Sequence, residues 1–453
     1  MEKLKLFEAF AGIGTQRMSL RNIGVDFESV GISEIDIHAI LSYANIHDGL
    51  DTEDKTFVYP SKEEIIEFLE NRNIGMDFKT KKVKLPKNLV KLQQLYRAVI
   101  ISKCYGDVCL LNPSDLPDMD IFTYSFPCTD ISVAGQQQGV VKGQTRSGLL
   151  YECEKIIEVK RPKYLLLENV KNLVGKKFKE QFDEWLNYLE SLGYTNYWQV
   201  LNAKDYGVPQ NRERVFVVSV LNDKDKNYIF PQKQTLNICL KDVLESQVEE
   251  KYYLSEEVQA RFKPNDKFKD MSGNIVGTTA PDFRTIGQRD LCYQENSIMG
   301  ALVATDYKQP KQIVERVGGC FDTDTSTHQA GSVYNENGIA PTLDTMQGGY
   351  RQPCIQVDGK LECEGWHDIE TRVHNVDGLA PCVETRNRAK YIDNVYYRIR
   401  KLTPLECWRL MGCSDEDFYK AKQFNSDSQL YKQAGNAIVV NVLEAIFKNL
   451  FKD

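Results

Sequence analysis

Cys128 stands where a strand would deliver a nucleophile. It follows the apolar run Ile121-Phe122-Thr123-Tyr124-Ser125-Phe126 and Pro127, and it precedes the loop-forming stretch Gly135-Gln136-Gln137-Gln138-Gly139. In open α/β sheets ligands gather at the carboxyl ends of strands, so a thiol placed there meets substrate. The chemistry open to it is covalent addition by a thiolate, which is intrinsically nucleophilic. Twelve cysteines occur in the chain, and free cysteines are among the most buried residue types. Taken alone, Cys128 therefore fits a packing residue as well as a catalytic one.

A second constellation lies near the N-terminus. Phe10-Ala11-Gly12-Ile13-Gly14 sits between a strand-like run, Leu4-Lys5-Leu6-Phe7, and a stretch from Thr15 to Ile23 that can be helical. Gly12 and Gly14 permit a tight turn and close approach of a ligand to the backbone. The next strand, Phe27 to Ile32, ends in Glu34, about 20 residues on, where a ribose-binding acid is expected. Arg17 occupies the place of the third glycine of a dinucleotide fingerprint. A pyrophosphate-binding loop wants glycine there for close helix packing, so a nucleoside ligand without phosphates fits better. S-adenosylmethionine is the obvious one.

The elements that must position these residues alternate in the first half, which signals a parallel sheet. Further strands are expected around Val108, at Ile121 to Ser125, at Tyr164-Leu165-Leu166-Leu167 and at Arg214 to Val220. Helix is expected over Tyr151 to Lys160, and Phe178, Phe182, Trp185, Leu186 and Leu189 recur at helical spacing as a core face. Residues 49–103 look like an insertion, helical at Glu63 to Glu70 and Leu89 to Ile101, with a lysine concentration (Lys79, Lys81, Lys82, Lys84, Lys87) able to touch phosphate. From about 231 the alternation disappears and Gly, Asn, Asp and Thr become frequent. A 40-residue period links Met299 to Thr305, Ile339 to Thr345 and Leu379 to Thr385. Repeated short strands with polar loops usually build one surface. After Tyr397 helical patterning returns, ending in Val439 to Leu450.

Bulk composition narrows the class. With 453 residues, two domains are the default. A hydrophobic content of 42% and a charged content of 27% suit a soluble globular chain. No run approaches the roughly 18 apolar residues of a membrane span, and no signal peptide precedes Leu4, so a cytoplasmic protein is expected. The cysteines form no CxxC pair and the five histidines no zinc-finger spacing, so no metal is expected. The net charge of −7 argues against a surface coated in basic residues, though it leaves room for a local basic cleft.

Taken together, the segments resemble the DNA (cytosine-5)-methyltransferases of bacterial restriction-modification systems and prophages. Seven match in order: Phe10-Ala11-Gly12-Ile13-Gly14; Glu34; Phe126-Pro127-Cys128; Glu168-Asn169-Val170; Gln210-Asn211-Arg212-Glu213-Arg214; Arg400-Lys401-Leu402-Thr403-Pro404-Leu405-Glu406-Cys407; and Gln433-Ala434-Gly435-Asn436-Ala437. Each is weak alone; their order, with a long variable block between the fifth and sixth, is specific. The match covers about 1–48, 104–230 and 395–453.

The resemblance implies an α/β fold: a Rossmann-like, S-adenosylmethionine-dependent catalytic domain with a second, smaller, mostly β or irregular target-recognition domain. The expected division is 1–230 catalytic, 231–395 target-recognition and 396–453 returning to the catalytic domain, its last helix beside the first strand. It implies methylation of cytosine carbon 5 within a short double-stranded DNA sequence. Cys128 would add to carbon 6, Glu168 would share a proton with ring nitrogen 3, and Arg214 with Arg212 would contact the base carbonyl or a phosphate. The cofactor would meet Phe10, Gly12, Ile13, Gly14, Glu34, Ile35, Val108 and Pro127. Asp107 would accept from the adenine amino group, Leu149 would pack on adenine, and Asn436 would support the methionine end.

The target cytosine would flip out of the duplex under a closing loop, Thr129 to Ser147, that carries Ser132 and Gln136 toward DNA. Arg351, Gln352, Arg386, Asn387 and Arg388 are the candidates for reading bases. A monomer is expected, with a cognate restriction endonuclease as an independent partner. Glu8 and Thr15 depart from the family's common Asp and Gly, with modest effects expected. Two rivals stand beside this reading: a tRNA cytosine-5 methyltransferase, and a DNA-binding protein that keeps the fold without catalysis. A cysteine hydrolase lacks a suitably placed histidine.

Overall fold

Four apolar strands form the parallel centre of the sheet. Leu4–Ala9 (β1), Phe27–Ser33 (β2), Ile121–Tyr124 (β3) and Tyr164–Val170 (β4) lie in the order β2-β1-β3-β4. Every residue of β3 is buried, as is β4 up to Asn169, which is why both read as unbroken apolar runs. Tyr194–Asn202 (β5) and Glu213–Leu221 (β6) extend the sheet with antiparallel pairing, giving β2-β1-β3-β4-β6-β5. The computed structural model describes residues 2–77, 80–127, 147–222, 228–253, 297–308, 310–316 and 397–451, together with strand segments at 263–264, 275–278, 291–294, 358–360 and 372–374.

Helices cover the sheet. Thr15–Asn22 (α1) and Ile37–Asp48 (α2) follow β1 and β2, and Asp36 caps α2 by accepting from the His38 and Ala39 amides. Lys62–Glu70 (α3) and Leu89–Ile101 (α4) form the body of the 49–103 segment. Ile65, Leu69, Leu92, Leu95 and Val99 bury against Ile40 and Tyr43 of α2. Leu150–Lys160 (α5) and Lys179–Ser191 (α6) pack Ile156, Phe182, Trp185 and Leu189 against Phe122, Tyr124 and Leu165. The predicted α6 stripe is thus a core face.

The chain ends in Pro404–Arg409 (α7), Asp415–Lys422 (α8), Asp427–Asn436 (α9) and Val440–Leu450 (α10). The last of these packs against α1, where Ser19 Oγ donates to the Val440 carbonyl at 3.3 Å. Arg21 and Asp417 pair at 2.7 Å.

Two expectations need correction. Val108 lies in a single 3-10 turn, Val108–Leu110, and not in a strand: the Asp107 carboxylate accepts from the Cys109 amide at 3.0 Å and so starts a turn. What remains of strand pairing there is one bridge, Ile32 to Cys104. Tyr397–Lys401 is a strand, with the helices beginning at Pro404.

The chain divides into two compact units, 1–248 with 296–311 and 402–453, and 249–295 with 312–401. The first therefore takes in 231–248 and 296–311 from the variable block. In the second, segments 263–264, 275–278, 291–294, 312–316 and 397–401 form a sheet in that order. Its register aligns Gln312 with Lys401 and Cys292 with Gln312. Among the described residues no helix is long and apolar enough to cross a membrane.

Candidate active site

In the sheet order β2-β1-β3, the connections leaving β1 and β3 part to opposite sides, and a crevice opens at their carboxyl ends. A cavity of about 650 Å³ occupies that place in the first unit. Phe10 to Ile13 and Glu34 to His38 line one side, Asp107 and Val108 with Leu149 another, and Ser125 to Pro127, Glu168, Arg212, Arg214 and Asn436 complete it. The sequence had nominated most of these positions separately; the fold brings them to one cavity.

The glycine loop is shaped by its backbone. Phe10, Gly12 and Gly14 all have positive φ. At Gly14 a Cβ would stand 2.5 Å from His47 Nε2 and 2.6 Å from a Tyr43 ring carbon, so only glycine fits. The Glu34 carboxylate spans the loop from below, accepting from the amides of Gly12 (2.9 Å), Ile35 (2.8 Å) and Asp36 (2.9 Å). Burial, helped by the Asp36 carboxylate, raises its pKa even though those amides work the other way.

Beneath the loop, Glu8 is fully buried and accepts from the Tyr43 hydroxyl at 2.6 Å. Burial pushes the Glu8 carboxyl up to about 7. Thr15 begins α1 directly after the loop.

The side of the cavity that carries Glu168 and Arg214 follows from period-2 alternation. Glu168 on β4 is directly opposite Phe216 on β6, and Arg214, two residues from Phe216, falls on the same face as a diagonal neighbour. Its Nε lies 3.3 Å from Glu168 Oε1. Glu168 is 8% exposed. Burial raises its pKa, with the guanidinium groups of Arg214 and then Arg212 acting in the opposite direction.

Asn169, which the sequence reading left without a role beyond its motif, donates from Nδ2 to the Phe126 carbonyl at 3.1 Å. It thereby ties the end of β4 to the segment entering Cys128. Its adjacency to Glu168 was the available signal.

Arg212 is engaged differently from Arg214. It is buried, and its guanidinium donates to the carbonyls of Leu302 (2.7 Å), Gly435 (3.3 Å) and Ala437 (2.9 Å). Gly435 makes this possible, since a Cβ there would lie 2.2 Å from the Val303 carbonyl carbon. Asn436, next in sequence, is exposed at the cavity rim. The first copy of the 40-residue repeat is part of this wall: Met299–Gly300 pairs with Gln210–Asn211, and the Leu302 amide donates to Gln210 Oε1 at 3.2 Å.

Cys128, Ser132 and Gln136, with the rest of 128–146, lie outside the described residues, as do Arg351, Gln352, Arg386, Asn387, Arg388 and the other two repeat copies. Among the described cysteines, Cys104, Cys153, Cys407 and Cys413 are buried, and burial raises each thiol.

Residues 79–452 match the family model of the C-5 cytosine-specific DNA methylases. The chain belongs to this family. It is 39% identical to the type II methyltransferase M2.ScrFI of Lactococcus lactis subsp. cremoris over 99% of both chains. It is 30% identical to the orphan methyltransferase M.SPBetaI of Bacillus phage SPbeta, over 99% of this chain and 98% of the phage protein. Among solved structures, the Dnmt2 methyltransferase of S. pombe superposes with a TM-score of 0.51 at 14% identity, covering 99% of both chains. The Entamoeba histolytica methyltransferase EhMeth gives 0.52 at 14%, covering 100% of this chain and 99% of that one. These two likenesses speak for the fold. The family makes the chain a DNA cytosine-5 methyltransferase, and the mixed α/β architecture with its central parallel sheet is the one the sequence predicted.

Proposed function

We propose that the protein methylates carbon 5 of a cytosine flipped out of a specific short double-stranded DNA sequence, through a covalent bond between Cys128 and the base. The observation that carries this reading is the pair of buried Glu168 with partly exposed Arg214, joined through Asn169 to the strand end that leads into Pro127-Cys128. Carbon 5 of cytosine is a poor nucleophile until a group adds at carbon 6. The Cys128 thiolate adds there, its electron pair forming the carbon–sulfur bond while the carbon 5–carbon 6 π pair moves into the ring. Glu168, whose burial favours the protonated form, holds a proton at ring nitrogen 3 and absorbs the developing charge. Arg214 fixes that carboxyl and faces the base carbonyl. Once carbon 5 has taken up the methyl group, loss of its proton to a base restores the ring double bond, and the carbon 6–sulfur bond breaks with its electron pair returning to Cys128.

S-adenosylmethionine, when bound, supplies the methyl group as an electrophile. The cavity's chemistry suits it: a positive-φ glycine loop, an amide-held carboxylate at Glu34, a second carboxylate at Asp107, and apolar walls from Phe10, Ile35, Val108 and Leu149. Residues 231–395 supply target recognition in this reading, with Arg351, Gln352, Arg386, Asn387 and Arg388 reading bases. Protection of host or phage DNA from a cognate endonuclease is the corresponding role.

The test is incubation with S-adenosylmethionine and mixed-sequence duplex DNA, followed by digestion and mass spectrometry. Wild type should accumulate 5-methylcytosine. Cys128→Ala should make none while still binding cofactor and DNA. Methyl transfer to tRNA with none to DNA would overturn the substrate assignment, and undiminished transfer by Cys128→Ala would overturn the covalent step.

A further inference from the structure

Asn73 lies in the 49–103 segment, ahead of the residues that match the family model. It nevertheless meets the cofactor side of the cavity. Its Nδ2 donates to Asp107 Oδ2 at 2.8 Å, and the neighbouring Arg72 carbonyl accepts from the Asp107 amide at 3.0 Å. The approach is close enough that a Cβ on Gly106 would stand 2.3 Å from the Arg72 carbonyl oxygen. From the same turn, the Gly75 amide donates to the Ile35 carbonyl at 2.8 Å. Gly75, Met76 and Asp77 then line the cavity beside Ile35 and Asp107. One insertion turn therefore anchors Asp107 itself and Ile35, the neighbour of Glu34.

We propose that Asn73 is a positioning residue that sets Asp107 to accept from the cofactor's adenine amino group, and that the insertion turn 72–77 forms the adenosine end of the pocket. This rests on the reading of the cavity as an S-adenosylmethionine site. The physical reason is donor geometry. Asp107 is buried at 4% exposure, and the Cys109 amide holds its Oδ1 while Asn73 holds Oδ2. Each oxygen keeps a further lone pair, and with both oxygens fixed those lone pairs point in set directions. The carboxylate can then discriminate an amino donor from a carbonyl at the same ring position, because a site built around one hydrogen-bonding partner rejects the analogue that lacks it.

The experiment compares binding of S-adenosylhomocysteine and S-inosylhomocysteine by calorimetry, in which the second ligand carries a carbonyl where adenine has its amino group. Asn73 has a φ of 53°, so Asn73→Gly removes the side chain without straining the turn. Asn73→Asp keeps the shape and replaces the donor with a carboxylate oxygen. Wild type should prefer the adenosyl ligand. Both variants should weaken it by about tenfold while changing the inosyl ligand much less, so the preference collapses.

Equal weakening of both ligands would mean that Asn73 only props the turn, and would overturn the proposal. Retention of the wild-type preference by either variant would also overturn it. Wild type that binds both ligands alike sinks the Asn73 inference and leaves the cofactor site standing, whereas wild type that binds neither removes the cofactor reading itself.

Discussion

At Glu168 two effects oppose each other on one carboxyl. Burial disfavours the charged form and the Arg214 guanidinium, 3.3 Å away, favours it, with burial the larger. Burial prevails, so this carboxyl keeps its proton to higher pH than an ordinary glutamate does. If Glu168 works protonated, the pH profile of kcat/KM should fall on the alkaline side as it ionises. Arg214→Met removes the stronger of the two guanidinium groups that oppose burial and leaves Arg212, so the Glu168 pKa should rise further. The variant should be slower by roughly a hundredfold, yet its alkaline limb should move to higher pH. A slower enzyme with an unmoved limb would show that Arg214 serves the substrate and does not tune Glu168. Arg212, two residues earlier and ahead of β6, instead donates from its guanidinium to the carbonyls of Leu302 and Ala437.

Between elements, the seam that matters runs from β1 to α2 beneath the glycine loop. Glu8 of β1 meets Tyr43 of α2, and Tyr43 with His47 closes the space behind Gly14. Among the described residues Glu8 Oε1 has no hydrogen-bond partner. Its pKa of about 7, against 4.5 unperturbed, means the folded chain binds this proton more tightly than the unfolded one. The contribution is therefore complete below about pH 4.5 and is lost as pH rises through about 7. Glu8→Gln, which still accepts from Tyr43, should be indifferent across that window. Relative to it, wild type should lose on the order of 3 kcal/mol between pH 5 and 8, read as diverging melting temperatures. Parallel curves would show that Glu8 is neutralised by its surroundings at every pH.

Of this seam, the strands were readable, β1 from Leu4-Lys5-Leu6-Phe7 ahead of the glycine loop and β2 from Phe27 to Ile32 ahead of Glu34, whereas α2 was not predicted. β5 was not readable, since Tyr194–Asn202 mixes polar, aromatic and aliphatic residues without a period of two on an antiparallel edge and is only partly buried. The 3-10 turn at Val108 was misread because a side-chain cap on Asp107 decides it, and no periodicity records a cap. The tie from Asn73 to Asp107 spans an insertion whose own sequence carries no motif, so only the fold could bring them together.

For the molecule as a whole, chain order and spatial order diverge most at Arg212. Its guanidinium joins the end of the 203–212 segment to Leu302 and to Gly435 and Ala437, residues separated from it by 90, 223 and 225 positions. The catalytic unit is closed by such ties, because its last helices return to α1 and α2 through Ser19, Arg21 and Ser42. Arg212→Met fills similar volume but leaves three carbonyls without their charged donor. Buried acceptors stranded in this way cost about 1–3 kcal/mol each, partly offset by relief of the buried charge. A net loss of roughly 3 kcal/mol is expected, read from the urea midpoint by tryptophan fluorescence. Cofactor affinity should fall with it, because Asn436 rides on the wall that Arg212 holds. Arg214→Met, at the partly exposed start of β6, should leave the midpoint nearly unchanged. If Arg212→Met instead unfolds at the wild-type midpoint while kcat collapses, Arg212 acts on the substrate, and the closure of the unit must rest on the apolar face of α10, where Leu443, Ile446 and Phe447 are fully buried.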